Sequence, residues 1–501
     1  MESSTTVPSA TVPGTGLRIL MVAQHVNFFR NLDTIMRDLC GRGHQVTFLH
    51  GTRLEDPGLE LKKKRAIFMG RGLKAVESEI AGVASGFRPG PPERWQRLLS
   101  LGRQVVNRAI YLRKDHPSPE RVVAGLEKDM GPALVARFST PRWQRILARP
   151  AALRTWRWIE EAGPASPTLV ALLREIDPHV LLVAPTIWPK TPIEADYFRA
   201  ARSLGIPTIG YVNSWDNLTS KGTVHVVPDI YIVWNEPLAQ EAVELHDLPP
   251  RAIRVTGAPH VDRFFTMRPS VAAEAMRQEM GCAPDRPYVV FLCSSRTLIA
   301  SEVDLVTRLA DALAHRFPEG APTLVVRPHP TNPDPWAEYA HPGVAVYPRL
   351  GDQADSPTSW QDYCNQLAHA ACVFGLNTTA FLEAVVVDRP CLTIVADEFW
   401  ASQARTGHFR HLLKGDFLEV SRDAAEVAGR VARILAGADE KKEGRREFTR
   451  WFLRPCGLDR PVSAIVADVI ERAALPAAGG SAPAAVDLVP GLTLASEGIG
   501  R

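Results

Sequence analysis

From Leu17 to Ala23 the chain is an apolar run rich in Ile, Leu and Val, and a polar loop, Gln24 to Asn27, ends it. Such a run predicts a strand buried on both faces. Beyond the loop, Phe29, Leu32, Ile35, Met36 and Leu39 recur at three- and four-residue steps, the period of a helix with one apolar face. Gly41 to His44 stops that helix and Gln45 to His50 reads as the next strand, completing a strand-helix-strand unit. The rhythm returns with helix Leu169 to Ile176, strand Val180 to Ala184, helix Glu194 to Leu204, strand Thr208 to Val212, strand Asp229 to Trp234, helix Pro237 to Leu245 and strand Ile253 to Thr256. Alternation of this kind predicts a parallel sheet covered by helices on both faces.

After Asp262 a second series begins, with strands Tyr288 to Cys293, Thr323 to Arg327, Val344 to Tyr347, Cys372 to Phe374, Cys391 to Val395 and Phe417 to Val420. Helices lie between them, and two more follow at Asp423 to Ala436 and Glu440 to Phe452. The expected organisation is an α/β chain of two doubly wound domains, 17–262 and 263–452, followed by a C-terminal helix within 453–475. A helical insertion, 53–165, interrupts the first domain, and tails 1–16 and 476–501 read as disordered from their Ser-, Gly-, Ala- and Pro-rich composition. Two such domains face each other across a cleft at the carboxyl ends of their sheets, where open α/β folds bind ligands.

Composition narrows the setting. With 501 residues, 45% hydrophobic and 23% charged, the chain has ample material for two cores. Its seven cysteines are scattered without a C-x-x-C pair, which suits a reduced compartment. The start lacks the basic and apolar regions of a secretory signal, and no uncharged apolar run reaches the about 18 residues of a membrane span. The expectation is a cytoplasmic protein, peripheral at the inner face of a membrane if its substrate is lipid-linked. Charge is uneven: residues 53–160 hold 22 Lys/Arg against 11 Asp/Glu, while the remainder holds 36 against 44. Two explanations stand, a field for an anionic partner such as a membrane surface, and a solvated helical face. No nucleic-acid partner is expected.

Candidate chemistry gathers in loops after strands. Arg327-Pro328-His329-Pro330 follows Thr323 to Val326; arginine offers a planar fork for phosphate and histidine a proton or hydrogen bond for a leaving phosphate, although a plain turn explains the loop as well. Gly375-Leu376-Asn377-Thr378-Thr379 follows Cys372 to Phe374 and opens a helix carrying Glu383. Asn and Thr are ordinary caps there, and a helix start also aims N–H groups at a diphosphate. Glu383 is placed to accept hydrogen bonds from ribose. Ser294-Ser295-Arg296-Thr297, after Tyr288 to Cys293, is a third candidate for phosphate contact. There is no P-loop, no G-x-G-x-x-G fingerprint and no Asp-x-Asp triplet, so neither a metal nor a cofactor is expected.

On the first domain, His25 follows the opening strand and is the candidate general base. Asn213-Ser214-Trp215-Asp216-Asn217-Leu218 follows Thr208 to Val212; Trp215 would stack on a sugar beside Asn217, and Asp216 would act as base or orient His25. Asp397-Glu398-Phe399-Trp400, with Gln403 and His408, borders the expected cleft and offers groups for the donor sugar, or is a surface loop held by its aromatics.

With these residues in place the pattern resembles GT-B transferases of bacterial surface-polysaccharide assembly, including CDP-glycerol glycerophosphotransferases and sialyl- and Kdo-transferase-like enzymes. Those share a His-Pro loop, matched by His329-Pro330, and a downstream Ser/Thr loop, matched by Asn377-Thr378-Thr379. Thr256-Gly257-Ala258-Pro259 with Asp262 looks like the segment leading into their interdomain linker. The resemblance covers 17–50 and 177–452 by order of elements and leaves the insertion unmatched.

It implies two Rossmann-like domains, with Arg327 and His329 on the donor phosphate, Thr378 and Thr379 on the diphosphate and Glu383 on the ribose. The family's hydroxyl pair is more often serine, a departure that leaves the nucleotide open. Non-hydrolysing UDP-N-acetylglucosamine 2-epimerases share the two-domain build. The expected activity is metal-independent, inverting transfer of a sugar or related group from a nucleotide-activated donor to a hydroxyl acceptor, in surface polysaccharide or glycoconjugate synthesis. An epimerase, a CDP-glycerol-type glycerophosphotransferase and a non-catalytic glycan or nucleotide-sugar binding protein are the rivals.

Overall fold

The computed structural model describes residues 16–51, 73, 77, 78, 80–90, 93–113, 116, 120–187, 193–351, 354, 356–400, 402, 403 and 406–475. Of the tails expected to be disordered, 1–16 and 476–501, all but Gly16 lies outside the described residues, as does most of 52–79.

The first sheet holds seven strands: β1 Arg18–Ala23, β2 Gln45–His50, β3 Val83–Phe87, β4 Val180–Val183, β5 Thr208–Tyr211, β6 Ile230–Val233 and β7 Ile253–Val255. Their order is β3-β2-β1-β4-β5-β6-β7, parallel throughout, with Ile19 opposite Val180 and Ile209 opposite Ile230. The second sheet holds β8 Tyr288–Leu292, β9 Thr323–Arg327, β10 Val344–Val346, β11 Cys372–Gly375, β12 Cys391–Ile394 and β13 Leu418–Ser421, in the order β10-β9-β8-β11-β12-β13, again parallel. Each sheet starts near its middle, winds to one edge, then crosses back, so β1 beside β4 and β8 beside β11 are switch points where the carboxyl-end loops diverge and leave a crevice.

Side-chain alternation builds the two faces. In β1, Ile19 and Met21 enter the core under helix Phe29–Gly41, whereas Leu20 and Val22 pack on the other face with Leu169, Leu173 and Phe198. In β8, Val290 and Leu292 face one way and Val289 and Phe291 the other. A strand with both faces covered must be apolar at every position, which is why these strands read as unbroken runs.

The chain does not stop in the second domain. Helix Lys442–Phe448 passes through a wider π turn, Thr449–Leu453, and helix Val462–Ala474 returns to the first domain, where Val466, Ala467 and Ile470 share the core of Ile19 and Leu32. Asp262 anchors the return. Buried, it pairs with Arg454 at 2.5 Å and accepts the amides of Val462 (3.1 Å) and Ser463 (2.7 Å), a carboxylate at the amino end of that helix.

The insertion, expected to be helical, holds a strand as well. It contains β3, whose Val83 to Phe87 pair in parallel with Val46 to His50 at the sheet edge. Ser85 and Gly86 dilute the apolar signal of an edge strand that is only half covered. Helices Arg94–Ile110, Glu120–Met130, Pro132–Phe138, Pro141–Leu147 and Pro150–Ala162 follow, the last three with Pro in the first turn, where its missing N–H costs nothing. A buried charge cluster fixes them to helix Glu194–Ser203: Arg103 pairs with Glu160 (2.6 Å) and Asp196 (2.7 Å), and Arg199 with Asp196 (2.6 Å) and Glu160. Arg157 is also internal, donating to the carbonyls of Val224, His246 and Asp247. Part of the basic excess is therefore structural, not surface field. Among the described residues no helix is long and apolar enough to cross a membrane.

Candidate active site between the two sheets

The carboxyl-end loops of both sheets line one cavity of about 480 Å³. Arg327, Pro328, His329, Asn377, Thr378, Thr379, Glu383 and Ser295 come from the second domain, and His25, Asn213, Asp216 and Asn217 from the first. Three loops read separately in the sequence thus meet on one wall, because β8, β9 and β11 are neighbours in the sheet.

Arg327 ends β9 with its guanidinium over the ring of Tyr363 at 4.3 Å, and its Nη1 donates to Gln366 Oε1 at 2.8 Å. Burial pushes its pKa down, but a guanidinium stays protonated in a protein, so a desolvated cation bonded to a neutral amide is a place for an anion. His329 Nδ1 accepts from the backbone N–H of Thr331 at 3.0 Å, which puts the ring proton on Nε2, a donor. Thr378 Oγ1 accepts the amide of Ala380 at 3.3 Å at the start of helix Ala380–Val386. Gly375 lets this loop approach the sheet: a Cβ there would lie 3.0 Å from Thr378 Cγ2 and 3.1 Å from the Leu292 carbonyl oxygen.

Glu383 is buried one turn into that helix, accepting from the Tyr363 hydroxyl at 2.9 Å and pairing with Arg30 of the first domain at 3.4 Å. Burial pushes its carboxyl up; Arg30 and the Tyr363 hydrogen bond pull the other way without cancelling the shift. The pair ties the two walls together.

On the opposite wall His25 is exposed, its ring centroid 6.3 Å from that of Phe28. Asp216 is held by Lys221 at 3.1 Å and by the Ser220 hydroxyl at 3.1 Å. Burial would raise its pKa, but Lys221 and His408, with hydrogen bonds from Ser214 and Lys221, outweigh burial and hold it well below the usual carboxylate range. A carboxylate so stabilised is a weak proton acceptor. Asn217 lines the cavity but spends its Oδ1 on the amides of Asn213 and Ser214, both at 3.0 Å, so it shapes its own loop.

Several expected contacts lie off the cavity wall. Trp215 is buried, its Nε1 donating to Thr379 Oγ1 at 3.2 Å and its ring edge-on to His408 at 4.8 Å, so it closes the domain contact and is not an open platform for a sugar. His408 is buried behind it, its pKa pushed down to about 4 by burial, and lies 3.3 Å from Asn377 Nδ2. Gln403 is enclosed, donating to the Leu376 carbonyl at 2.9 Å. Ser294 is buried, its amide on Glu302 at 2.9 Å and its hydroxyl accepting from the Asn377 amide at 3.4 Å; these residues brace the phosphate loop from behind. Arg296 points to solvent, 3.9 Å from Asp334. In the Asp397–Phe399 turn Glu398 pairs with Arg308 at 2.6 Å, and Trp400 is half exposed away from the cavity.

The cavity also exposes residues that sequence reasoning passed over: Arg30 and Asn31 on helix Phe29–Gly41, Lys221, Trp234, His260 and Tyr363. His260 lies within the Thr256–Asp262 stretch, Lys221 three residues after the Asn213–Leu218 loop, and Trp234 at the end of a strand that the sequence marks. Among the described residues no group of three or more His, Cys, Asp or Glu stands where it could hold a metal ion.

No protein-family model matches the chain, and no curated protein matches it in sequence. Solved structures do match. The UDP-N-acetylglucosamine 2-epimerase of Neisseria meningitidis bound to UDP-GlcNAc superposes with a TM-score of 0.50 at 12% identity, covering 91% of this chain and 100% of that one. The S. aureus MnaA–UDP co-structure gives 0.50 at 11% identity, with 91% and 96% covered. A glycosyltransferase from Rickettsia africae gives 0.49 at 8% identity, with 92% and 99% covered. The protein has the GT-B fold, two parallel-sheet α/β domains facing across a cleft. At these identities the likeness defines the architecture, and the site must define the chemistry.

Proposed function

We propose that this protein transfers a sugar or related group from a nucleotide-activated donor to a hydroxyl acceptor. The observation that carries the reading is the convergence of Arg327, His329, Thr378 and Thr379 on one cavity wall, facing His25 on the other. The nucleotide occupies the second domain, with its phosphates at Arg327 and His329 and beside the two threonines. A carboxylate has more lone pairs than Tyr363 and Arg30 use, so Glu383 still accepts from a ribose hydroxyl.

The acceptor oxygen attacks the carbon that bears the phosphate while His25 takes its proton. The bond from that carbon to the phosphate oxygen breaks and its electron pair leaves on the phosphate, where Arg327 and the Nε2 proton of His329 stabilise it. One displacement inverts the carbon. Asp216 serves this site by fixing Lys221, a further cation lining the cavity, and not as base.

The insertion belongs to the domain that would bind the acceptor. Arg94, Arg97, Leu98 and Leu101 are exposed at helical spacing on one face of Arg94–Ile110, and Trp158 is exposed on helix Pro150–Ala162. Basic and apolar groups together suit a lipid-linked or anionic acceptor at the inner membrane face. Co-sedimentation with phosphatidylglycerol vesicles, lost in an Arg94→Glu/Arg97→Glu variant, is the expected result; equal sedimentation of both proteins removes this docking face.

The main test is turnover of UDP-, CDP-, GDP-, dTDP- and CMP-linked donors in EDTA with an acceptor panel, alongside Arg327→Met. Activity persists in EDTA, and the variant binds the free nucleotide about tenfold to a hundredfold more weakly, the worth of a hydrogen bond to a charged group. Complete loss in EDTA contradicts the metal-free step. Interconversion of a nucleotide sugar with no acceptor present replaces this reading with an epimerase, and binding without any turnover replaces it with a carbohydrate- or nucleotide-binding protein.

A further inference from the structure

We infer that Asn213 and His260, on either side of Trp234, form a subsite for the hydroxyls of one sugar ring or other polyol. The two side chains line the cavity from the loops after β5 and β7, and Trp234 follows β6 between them. Trp234 Nε1 donates to the carbonyl of Val212, next to Asn213, at 2.9 Å, and its ring lies 4.9 Å from that of His260. Asn213 is 1% exposed and His260 4% exposed. Yet Asn213 Oδ1 and both ring nitrogens of His260 have no hydrogen-bond partner. Buried polar atoms are nearly always paired, so three unpaired atoms on two residues that line one cavity point to what enters beside them.

Their chemistry selects the guest. Burial, with the charges of Arg30 and Arg263, pushes His260 down to about 3, so at neutral pH the ring is uncharged and offers one donor and one acceptor. Asn213 Oδ1 is an acceptor. The set is two acceptors and one donor with no charge. A phosphate or carboxylate brings acceptors alone and would leave two of the three atoms facing oxygen lone pairs. A hydroxyl both donates and accepts, so adjacent hydroxyls of one molecule satisfy all three. This is the opposite of the Arg327 and His329 wall, and it gives the cavity an end for the phosphate and an end for the hydroxyls.

Which molecule brings the hydroxyls, donor sugar or acceptor, rests on the transfer reading; that a polyol binds there does not. The test uses the full-length protein with His260→Phe, which keeps the ring against Trp234, His260→Gln, which restores a donor and an acceptor, and Asn213→Leu. Matched pairs are titrated by calorimetry, UDP with UDP-N-acetylglucosamine, GDP with GDP-mannose and dTDP with dTDP-glucose. Saturation-transfer NMR is recorded with free glucose, N-acetylglucosamine and glycerol. If the donor supplies the ring, the gain in affinity of nucleotide sugar over nucleotide falls about tenfold in the Phe and Leu variants and recovers in the Gln variant, while free nucleotide binds unchanged. If the acceptor supplies it, that gain holds and saturation transfer to the free polyols disappears in the Phe and Leu variants. The subsite is overturned if both readouts survive in both variants, if nucleotide and nucleotide sugar weaken by the same factor, or if wild type shows neither a sugar-dependent gain nor saturation transfer. When no nucleotide binds wild type, the transfer reading fails and the NMR arm still decides the subsite.

Discussion

The two sheets wind alike through their first six strands, yet the loops that meet at the crevice follow β8, β9 and β11 on one side and β1, β5 and β7 on the other. The first group presents a guanidinium, a histidine donor and two hydroxyls; the second presents an exposed histidine, an amide and a buried neutral histidine. Similar winding opens both sheets onto the same crevice, and it does nothing to make the loops there alike. Topology decides where chemistry sits, while the few side chains after each strand decide what it is. The walls also differ in how they are held: Arg327 leans on Tyr363 within its own domain, whereas Trp215 reaches across to Thr379 and Arg30 to Glu383.

Three changes break or sharpen that contrast. His25→Gln removes the proposed proton acceptor from the first wall and leaves the second intact. Turnover should fall about a hundred- to ten-thousand-fold, the usual worth of general base catalysis, with nucleotide affinity unchanged; steady-state kinetics beside calorimetry reads both, and equal losses in the two would merge roles that are assigned to separate walls.

Asp262→Ala attacks the joint between the halves. It strands Arg454 in a buried position and uncaps the returning helix, at about 3–5 kcal/mol, the range for breaking a buried pair. Urea unfolding should report it, and a loss below about 1 kcal/mol would mark the pair as no better than a surface one.

Glu302→Gln probes the bracing of the second wall. Burial pushes the Glu302 carboxyl up from 4.5 to about 7, against the Ser294 amide it accepts. A carboxyl with a raised folded-state pKa contributes its stability below pH 4.5 and loses it as pH rises through 7. Glutamine keeps an acceptor for the amide and never ionises. Its stability relative to wild type should therefore climb across that window, by about 3 kcal/mol in full. Denaturant melts at the two ends of the window measure this, and a pH-independent difference would show that the carboxyl does not titrate there.

Much of the fold was legible. Strands such as Tyr288–Leu292 are covered on both faces, so their burial is written as an unbroken apolar run. β3 was not legible, because an edge strand carrying Ser85 and Gly86 has little apolar surface to show. Arg327, His329, Thr378 and Thr379 could be placed at the cavity because each ends a strand or follows one within four residues, and strand ends face the crevice. Arg30 and Tyr363 were not, since they sit on helices whose approach to the cavity depends on which faces pack together. Trp215 and His408 were taken for open sugar contacts, but an indole beside a hydroxyl of the opposite domain is a closed joint.

The amino-acid order alone determined two doubly wound domains, the strand ends that carry polar loops and the basic character of the insertion, because periodicity, turn residues and charge are local properties of a chain. Tertiary structure decided the rest. It placed Arg103 and Arg157 inside, it held Asp216 ionised through Lys221 and the hydrogen bonds of its loop, and it left His260 neutral and unpaired beside Trp234. Charge state and hydrogen-bond satisfaction depend on the groups within a few ångströms and on how much water reaches them, and those neighbours come from segments far apart in the chain.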